Sequence, residues 1–356
     1  MTSNLTLNPS PHGEGLDANP STYSYRYGEI HTSPVISPSP HGEGQGVRLP
    51  LRLVTLLLFL VAFTFPLSAQ DATSTPEPTP RPRPLPTETV PIGTGGVERY
   101  FGALIQGNVG LLRLVGDFSE AQAVFGERTY PFFRPSNENV LYALIVAPID
   151  MQPRTYELQI LASSVDGSLV TAITNVEVTA AGYIKQQFNV PTDRAYLINP
   201  EVERNEFARL DALVSPINPI KAWDVGGFQL PMNTDIVSEF GQYRILNATV
   251  QTRHTGWDQK AASGTPIYAM GAGIVVYANL LDIRGNYVML DHGWGIYTGY
   301  AHFSQLGVAV GQTVVRGQLL GLSGNTGRSS GPHLHWEVNV SGEWIDGQTF
   351  IGLWLP

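Results

Sequence analysis

Short apolar or alternating segments separated by turn residues fill most of the chain after residue 97. Residues 97–191 contain runs such as NVLYALIVAP and TYELQILASS, and residues 228–356 contain TPIYAMGAGIVVYANL and NYVMLDHG. Short strands punctuated by Gly, Pro, Asn and Asp are typical of antiparallel β-structure. The pattern predicts an all-β protein, with an immunoglobulin-like β-sandwich at 97–191 followed by an antiparallel β-sheet domain at 228–356.

Residues 192–227, between these two regions, are predicted to form a connector. The connector contains the one convincing helical pattern of the chain, over residues 201–213, and Pro216 and Pro219 end it.

The N-terminal part of the chain has the composition of disordered and targeting segments. Residues 1–46 are rich in Ser, Pro, Gly and His and contain SPHGEG twice. We interpret them as disordered, or as preceding the true start of translation, which Val47 would mark. Residues 47–69 have the layout of a secretory signal peptide, in which arginines precede an uncharged apolar run and small residues follow.

The apolar run of this signal, residues 53–65, is short for a membrane-spanning helix, which needs about 20 residues. Cleavage after Ala69 is therefore the favoured outcome, and an uncleaved membrane tether is the alternative. Residues 70–96 are dense in proline and are predicted to form an extended linker. In either case we expect a secreted or cell-envelope protein.

Composition excludes several classes of function. The 356 residues carry a net charge of -9 and no block of Lys or Arg, which argues against nucleic acid as a partner. Cysteine is absent, which excludes thiol nucleophiles, Cys-bound zinc and disulfides. Any metal site must therefore use His, Asp or Glu.

Five of the eight histidines lie in the C-terminal region: His254, His292, His302, His333 and His335. In a strand, His333 and His335 share one face while Leu334 and Trp336 point to the other. His254 and Asp258, four residues apart, are also able to face one point. Buried together, such groups need a partner, and a divalent cation satisfies all of them. Two imidazoles and a carboxylate with an open fourth position are typical of catalytic zinc.

Three separated motifs in this region, HTGWD, YAHFS and GPHLHWEV, with SEFGQYR ahead of them, resemble those of the lysostaphin/LytM-type zinc metallopeptidases, which cut peptide bonds in bacterial peptidoglycan. The resemblance covers about residues 237–347. It implies a secreted zinc endopeptidase with a duplicated hybrid motif domain, one Zn²⁺ and peptidoglycan peptides as substrate. Matched by motif, the metal ligands are His254, Asp258 and His335, and the catalytic residues are His302 and His333.

The two catalytic histidines are suited to accept a proton from metal-bound water and to stabilise the oxyanion or protonate the leaving amine. The sequence leaves open which of His302 and His333 acts as the base. His292, in LDHGWG, is interpreted as structural.

The chain departs from the family next to its first motif, where Gln259 and Lys260 follow Asp258 and Trp257 replaces a smaller aliphatic residue. All five site residues are nevertheless present. This argues against the main alternative, a non-catalytic wall-binding protein or activator of wall amidases, whose usual feature is missing ligands. The segment VAVGQTVVRGQLLG also suggests the hairpin of a lipoyl- or biotinyl-type carrier domain, which carries its cofactor on a lysine. This alternative is excluded, because the only nearby lysine, Lys260, lies well before the hairpin.

Substrate specificity is expected to depend on two loops, residues 247–253 and 280–286. Glycyl bridges, D-amino-acid cross-links and stem peptides remain alternatives for the bond that is cut.

Overall fold

The computed structural model describes residues 79–356. The predicted disordered segment at 1–46 and the predicted signal peptide at 47–69 lie outside these residues. Within the described range, no helix combines the length and the apolar character that crossing a bilayer requires. The described residues are mostly strands, which confirms the predicted all-β class.

The first region contains ten strands, of which nine form two sheets. The strands are β1 (Glu88–Ile92), β2 (Gly95–Arg99), β3 (Leu104–Ile105), β4 (Val109–Val115), β5 (Phe118–Phe125), β6 (Arg128–Pro131), β7 (Leu141–Val146), β8 (Arg154–Ser164), β9 (Leu169–Thr179) and β10 (Lys185–Phe188). One sheet has the order β1-β2-β4-β7 and the other β3-β9-β8-β5-β6. Both sheets contribute to one cluster of buried apolar side chains.

The predicted linker at 70–96 extends too far, because β1 and part of β2 lie inside it. Ile92 is fully buried, and its strand alternates between exposed and more buried positions. Pro91 suggested a linker, yet β1 lies at the edge of its sheet, where a proline without an N–H group is tolerated.

The strand β10 was assigned by sequence to the N-terminal sandwich, but it pairs in parallel with a strand of the C-terminal region, β12. Its residues, KQQF, are mostly exposed and carry no apolar pattern that could have indicated their partner.

The connector contains a 3₁₀ helix, Thr192–Ile198, and the helix α1, Pro200–Val214, where the sequence predicts a helix over 201–213. Asn199 caps α1 by accepting a hydrogen bond from the backbone N–H of Glu201, and Pro200 occupies the first helical position. Glu206 and Leu210, four residues apart, lie on the buried face of α1.

The C-terminal region consists of twelve strands and a short helix. The strands are β11 (Ile236–Ser238), β12 (Tyr243–Leu246), β13 (Val250–Arg253), β14 (Trp257–Lys260), β15 (Pro266–Tyr268), β16 (Gly273–Leu281), β17 (Gly285–Gly293), β18 (Ile296–Leu306), β19 (Thr313–Val314), β20 (Leu319–Ser323), β21 (His333–Val340) and β22 (Glu343–Ile345). The helix α2 spans Gly347–Gly352. The main sheet has ten strands, with the path β11-β14-β21-β18-β17-β16-β19.

The register of three adjacent strands positions the candidate site. On β14, Asp258 lies directly opposite His335 of β21, and His335 in turn lies opposite Ala301 of β18. His302 follows Ala301 directly. Side chains from three strands are thereby brought to one point of the sheet.

Candidate metal centre and active site

Three of the predicted site residues bring their donor atoms together. Nε2 of His254 lies 3.0 Å from Oδ1 of Asp258 and 3.0 Å from Nδ1 of His335, and that Nδ1 is 2.9 Å from the same Oδ1. The exposed fractions of these residues are 2%, 4% and 6%. Among the described residues, this is the one cluster of His, Asp and Glu whose geometry could hold a metal ion.

The loop between β13 and β14 carries His254 to the site. The backbone N–H of His254 donates to the carbonyl of Gln242, and its own carbonyl accepts from Gly241. A Cβ atom at Gly256 would lie 2.2 Å from the carbonyl oxygen of Trp336. The loop can therefore pass this close to β21 only with glycine at that position.

The hydrogen-bond partners of the His254 and His335 rings indicate that the three donor atoms fit a cation. Nδ1 of His254 lies 2.6 Å from the carbonyl oxygen of Glu239, and Nε2 of His335 lies 3.1 Å from Oε2 of Glu337. Each acceptor assigns the proton of the neutral ring to the nitrogen that faces it. The remaining nitrogens then direct lone pairs at each other and at the Asp258 carboxylate. Three converging acceptors repel one another unless a cation lies between them.

At two of these groups, His254 and Asp258, the surroundings favour the forms that bind a metal, whereas at His335 burial is outweighed by hydrogen bonds to Asp258 and Glu337, which raise its pKa. Burial lowers the pKa of His254 to about 4, although Asp258 opposes this shift. Burial acts to raise the pKa of Asp258, but His254 and Arg244 outweigh it and hold this pKa well below its usual value. A neutral imidazole and an ionised carboxylate are the states that bind metal ions.

His302 and His333 lie beside these three residues. Their ring centroids are 4.6 Å apart, and the ring of His302 is 6.1 Å from that of His335. Nδ1 of His302 lies 2.7 Å from the carbonyl of Thr326, and Nδ1 of His333 lies 2.8 Å from that of Gly331. These carbonyls accept the ring protons, so Nε2 of each neutral ring is left as a proton acceptor.

Comparison with known proteins agrees with this geometry: residues 252–347 match the model of Peptidase family M23. The chain contains a peptidase family M23 domain. It is 45% identical over 108 residues to the peptidoglycan DD-endopeptidase ShyA of Vibrio cholerae, covering 30% of this chain and 25% of that protein. It is 40% identical over 121 residues to the DD-carboxypeptidase/endopeptidase Mpg of Neisseria meningitidis, covering 33% of this chain and 28% of Mpg.

A solved structure supports the fold over a longer part of the chain. The crystal structure of a candidate peptidase M23 from Pseudomonas aeruginosa superposes with a TM-score of 0.53 and 23% identity, covering 70% of this chain and 94% of that one. By contrast, the chain spans only about a quarter of the length of the curated relatives it matches. The predicted resemblance to LytM-type peptidases is confirmed, and zinc is the metal of this family.

The backbone of the M23 domain is strained at His302. This residue has a φ of 64°, in the left-handed region that residues other than glycine rarely adopt. Its N–H donates to the carbonyl of Arg284 at 2.9 Å, and its ring is held by Thr326. Such conformations persist where the surrounding structure fixes them and concentrate at functional sites. Burial, with the charges of His333 and His335, holds the pKa of His302 well below its usual value.

His292 lies away from this cluster. It is completely buried, and its two nitrogens lie 2.7 Å from the carbonyl of Ala272 and 2.7 Å from the hydroxyl of Thr298. The structure thus places it in the core of the M23 domain, as the structural interpretation expects.

The departures from the family pattern affect packing around the site. The side chain of Gln259 is buried and donates to the carbonyls of Met232 and Thr234. The indole of Trp257 donates to Asp346, the residue that caps α2. Both residues therefore attach β14 to its surroundings without removing a donor atom from the site.

Sequence reasoning missed two charged residues that contact the candidate metal site formed by His254, Asp258 and His335. Arg244, on β12, donates to Oδ2 of Asp258, the oxygen that faces away from the two rings. Glu337 accepts from Nε2 of His335. Glu337 could have been found, because it lies two residues after His335 on the same strand and shares its face. Arg244 lies within the SEFGQYR motif, but its contact depends on how β12 folds beside β14.

A small cavity of about 50 Å³ adjoins the candidate metal site. It is bordered by His254, His302 and His335 and by parts of both predicted specificity loops, namely Arg253 from the first and Ile283 and Arg284 from the second. Phe207 of α1 closes another side.

Proposed function

We propose that this protein is a zinc metalloendopeptidase that hydrolyses peptide bonds in bacterial peptidoglycan. The observation that supports this most is the convergence of three metal-binding atoms from His254, Asp258 and His335 inside a domain of family M23. Two further imidazoles lie beside them with their Nε2 atoms left as acceptors. This is the set of groups that metal-assisted hydrolysis requires.

In this proposal His254, Asp258 and His335 hold the metal. Bound there, zinc supplies Lewis acidity that lowers the pKa of a water to about 7 and polarises the scissile carbonyl. Arg244 fixes the carboxylate of Asp258 through its other oxygen, so that Oδ1 stays directed at the two rings.

His302 and His333 transfer protons in the hydrolysis. One Nε2 accepts the proton of the attacking water as its oxygen adds to the carbonyl carbon. When the C–N bond breaks, a proton passes to the leaving amine, which yields one new carboxylate and one new amino group. Burial keeps the ring of His302 neutral before reaction, and its bond to Thr326 leaves the lone pair of Nε2 free.

The peptide is proposed to enter on the side of His333. The side chain of His333 retains 14% exposure, more than those of the three metal-binding residues. Ser330 and Pro332, in the turn before it, are exposed.

The bond proposed to be cut is a cross-link between D-amino acids. The relatives ShyA and Mpg are named as a peptidoglycan DD-endopeptidase and a DD-carboxypeptidase/endopeptidase, and the matched segment includes the complete candidate site. We further infer that residues 47–69 direct export and that the first region is an immunoglobulin-like sandwich that spaces or positions the M23 domain in the envelope. A substrate in the cell wall requires this location.

Muropeptide analysis tests the proposal. The purified full chain, loaded with zinc, is incubated with peptidoglycan whose cross-links join D-amino acids, and the fragments released by a muramidase are separated and weighed. We expect cross-linked dimers to be converted to monomers by the wild type and not by Asp258→Ala. Asp166→Ala, which removes an exposed carboxylate from the turn between β8 and β9 of the first region, is the matched control. Unchanged dimers with bound zinc would contradict the proposal and favour a non-catalytic activator.

A further inference from the structure

A carboxylate that the hydrolysis does not use lies buried behind the metal-binding cluster. Glu337 is 1% exposed and lies two residues after His335 on β21. Its Oε2 is 3.1 Å from Nε2 of His335, on the side of the ring away from Asp258. Burying a carboxylate costs several kcal/mol unless hydrogen bonds compensate, so its surroundings need an explanation.

Several donors meet the two oxygens of Glu337. Arg284 donates from Nε at 2.6 Å and from Nη2 at 2.9 Å, which makes a two-pronged ion pair. The hydroxyls of Tyr287 and Thr255 each donate at 2.7 Å. The carboxylate is thus fixed in position and orientation before any metal binds.

Arg284 is itself held from outside the M23 domain. Its Nη1 donates at 2.9 Å to Glu206, a completely buried residue of α1. Glu206 also accepts from the backbone N–H groups of Ile283 and Arg284, at 2.5 and 3.2 Å. A continuous buried chain of contacts therefore links α1 to a metal-binding ring through Glu206, Arg284, Glu337 and His335.

We propose that Glu337 is a positioning residue that holds Nε2 of His335 so that Nδ1 faces the metal, and that Arg284 and Glu206 hold Glu337 in place. The helix α1, which precedes the matched segment 252–347, is then part of the metal site. The inference deepens the metal-binding part of the proposed function and does not depend on which bond is cut.

A ligand histidine needs such a residue because the imidazole ring has nearly the same shape in two orientations. A half-turn about χ2 would exchange the ring nitrogens for carbon atoms and remove the donor from the metal. The bond from Nε2 to Glu337 opposes this rotation and also makes Nδ1 the unprotonated nitrogen. Partners of this kind behind a ligand typically change metal affinity by about 10- to 100-fold.

The first test replaces Glu337 with Gln in the full chain. Zinc affinity is measured by competition with a chelator of known affinity, and the Co²⁺-loaded protein is examined by visible absorption, which reports ligand geometry. We expect zinc affinity to fall by about 10- to 100-fold and the cobalt spectrum to change. A folded Glu337→Gln variant with wild-type affinity and spectrum would overturn the proposal. A merely structural role would lower thermal stability and leave both readouts unchanged.

The second test uses two glutamates of the same helix. Glu206→Gln breaks the chain of contacts at its outer end. Glu203→Gln removes a carboxylate that also joins α1 to an arginine, Arg328 at 2.9 Å, but that forms no hydrogen bond with Arg284. We expect Glu206→Gln to weaken zinc binding by several-fold and Glu203→Gln to leave it unchanged. Equal affinities for the two variants would overturn the role of α1, and this comparison remains decisive if Glu337→Gln fails to fold.

Both tests measure metal binding and not hydrolysis. A protein whose zinc affinity depends on Glu337 and Glu206 but which releases nothing from peptidoglycan would contradict the proposed function alone. A protein that hydrolyses peptidoglycan, and whose Glu337→Gln and Glu206→Gln variants bind zinc as tightly as the wild type, would contradict this inference alone.

Discussion

The two β-rich regions of the chain bury different kinds of side chain. Within residues 79–356, the buried residues of the first region are apolar or tyrosine, as in the fully buried strand LYALIV of β7. In this described part of the chain, every buried charged residue and every buried histidine lies at Glu206 or beyond. Both regions are built from strands, so secondary structure alone does not explain this difference.

The difference concerns what each kind of buried side chain requires from its surroundings. Burying apolar surface stabilises the folded state by roughly 25 cal/mol per Å² and needs no specific hydrogen-bond partner. Buried charges need matched partners, and those of the second region are arranged around one point, with Asp258 and His335 at its centre.

Removing a metal ligand is expected to have the largest effect. His335→Ala deletes one of three donor atoms, so the chain should lose zinc and activity together. Activity should fall by at least about 1,000-fold, a part of the roughly 10⁶-fold or greater acceleration typical of enzymes. Zinc content and the release of amino groups from peptidoglycan are measured on the same sample. His292→Gln, at a buried histidine outside the cluster, should keep the metal.

Removing a proton-transfer group should reduce activity while leaving zinc binding unchanged. His302→Ala leaves all three donor atoms in place, so bound zinc should stay near one per chain. Turnover should fall by about 100- to 10,000-fold, the usual contribution of general acid–base catalysis. Loss of zinc in this variant would show that His302 belongs to the metal site instead.

A cavity in the first region should reduce stability without changing the metal site. Leu158→Ala, at a completely buried position of β8, should lower the free energy of unfolding by about 2 to 5 kcal/mol. Denaturant unfolding measures this change, and the zinc affinity of the folded protein should stay the same. Leu169→Ala, at an 83% exposed position, is the control and should change little.

The buried histidine outside the cluster should make stability depend on pH. Burial lowers the pKa of His292 to about 4 from 6.5, and its bond to Ala272 only partly opposes the shift. As pH falls from about 6.5 to 4, the unfolded chain binds a proton that the folded chain does not. Stability should therefore decrease over this range, by about 3 kcal/mol in all from this residue.

The comparison with His292→Gln isolates this contribution, because the other titrating groups are common to both proteins. Unfolding free energies at pH 7.5, 5.5 and 4.5 should converge for the two proteins as pH falls. Parallel curves would contradict the assignment of a neutral, buried imidazole at this position.

Much of the site could be predicted because its residues are close in sequence or recur at strand spacing. His333 and His335 alternate with core residues, and His254 and Asp258 lie within one short motif. The helix α1 was predicted to within one residue at each end, because proline and the apolar pattern mark its limits locally.

The remaining parts depend on contacts between distant residues. Nothing near Arg284 in sequence indicates that it bridges Glu206 and Glu337, which lie 78 and 53 residues away. The pairing of β10 with β12 could not be predicted either, because the mostly polar residues of β10 show no buried face. The first strand, β1, was missed because its proline matches a linker as well as an edge strand.

The most direct test of the central claim combines zinc content with chelation. The purified full chain is analysed for zinc, and the release of new amino groups from purified peptidoglycan is followed before and after treatment with a chelator. We predict about one bound zinc per chain, release that the chelator abolishes, and recovery when zinc is restored. Release that continues at the same rate in a protein shown to be free of metal would contradict the account.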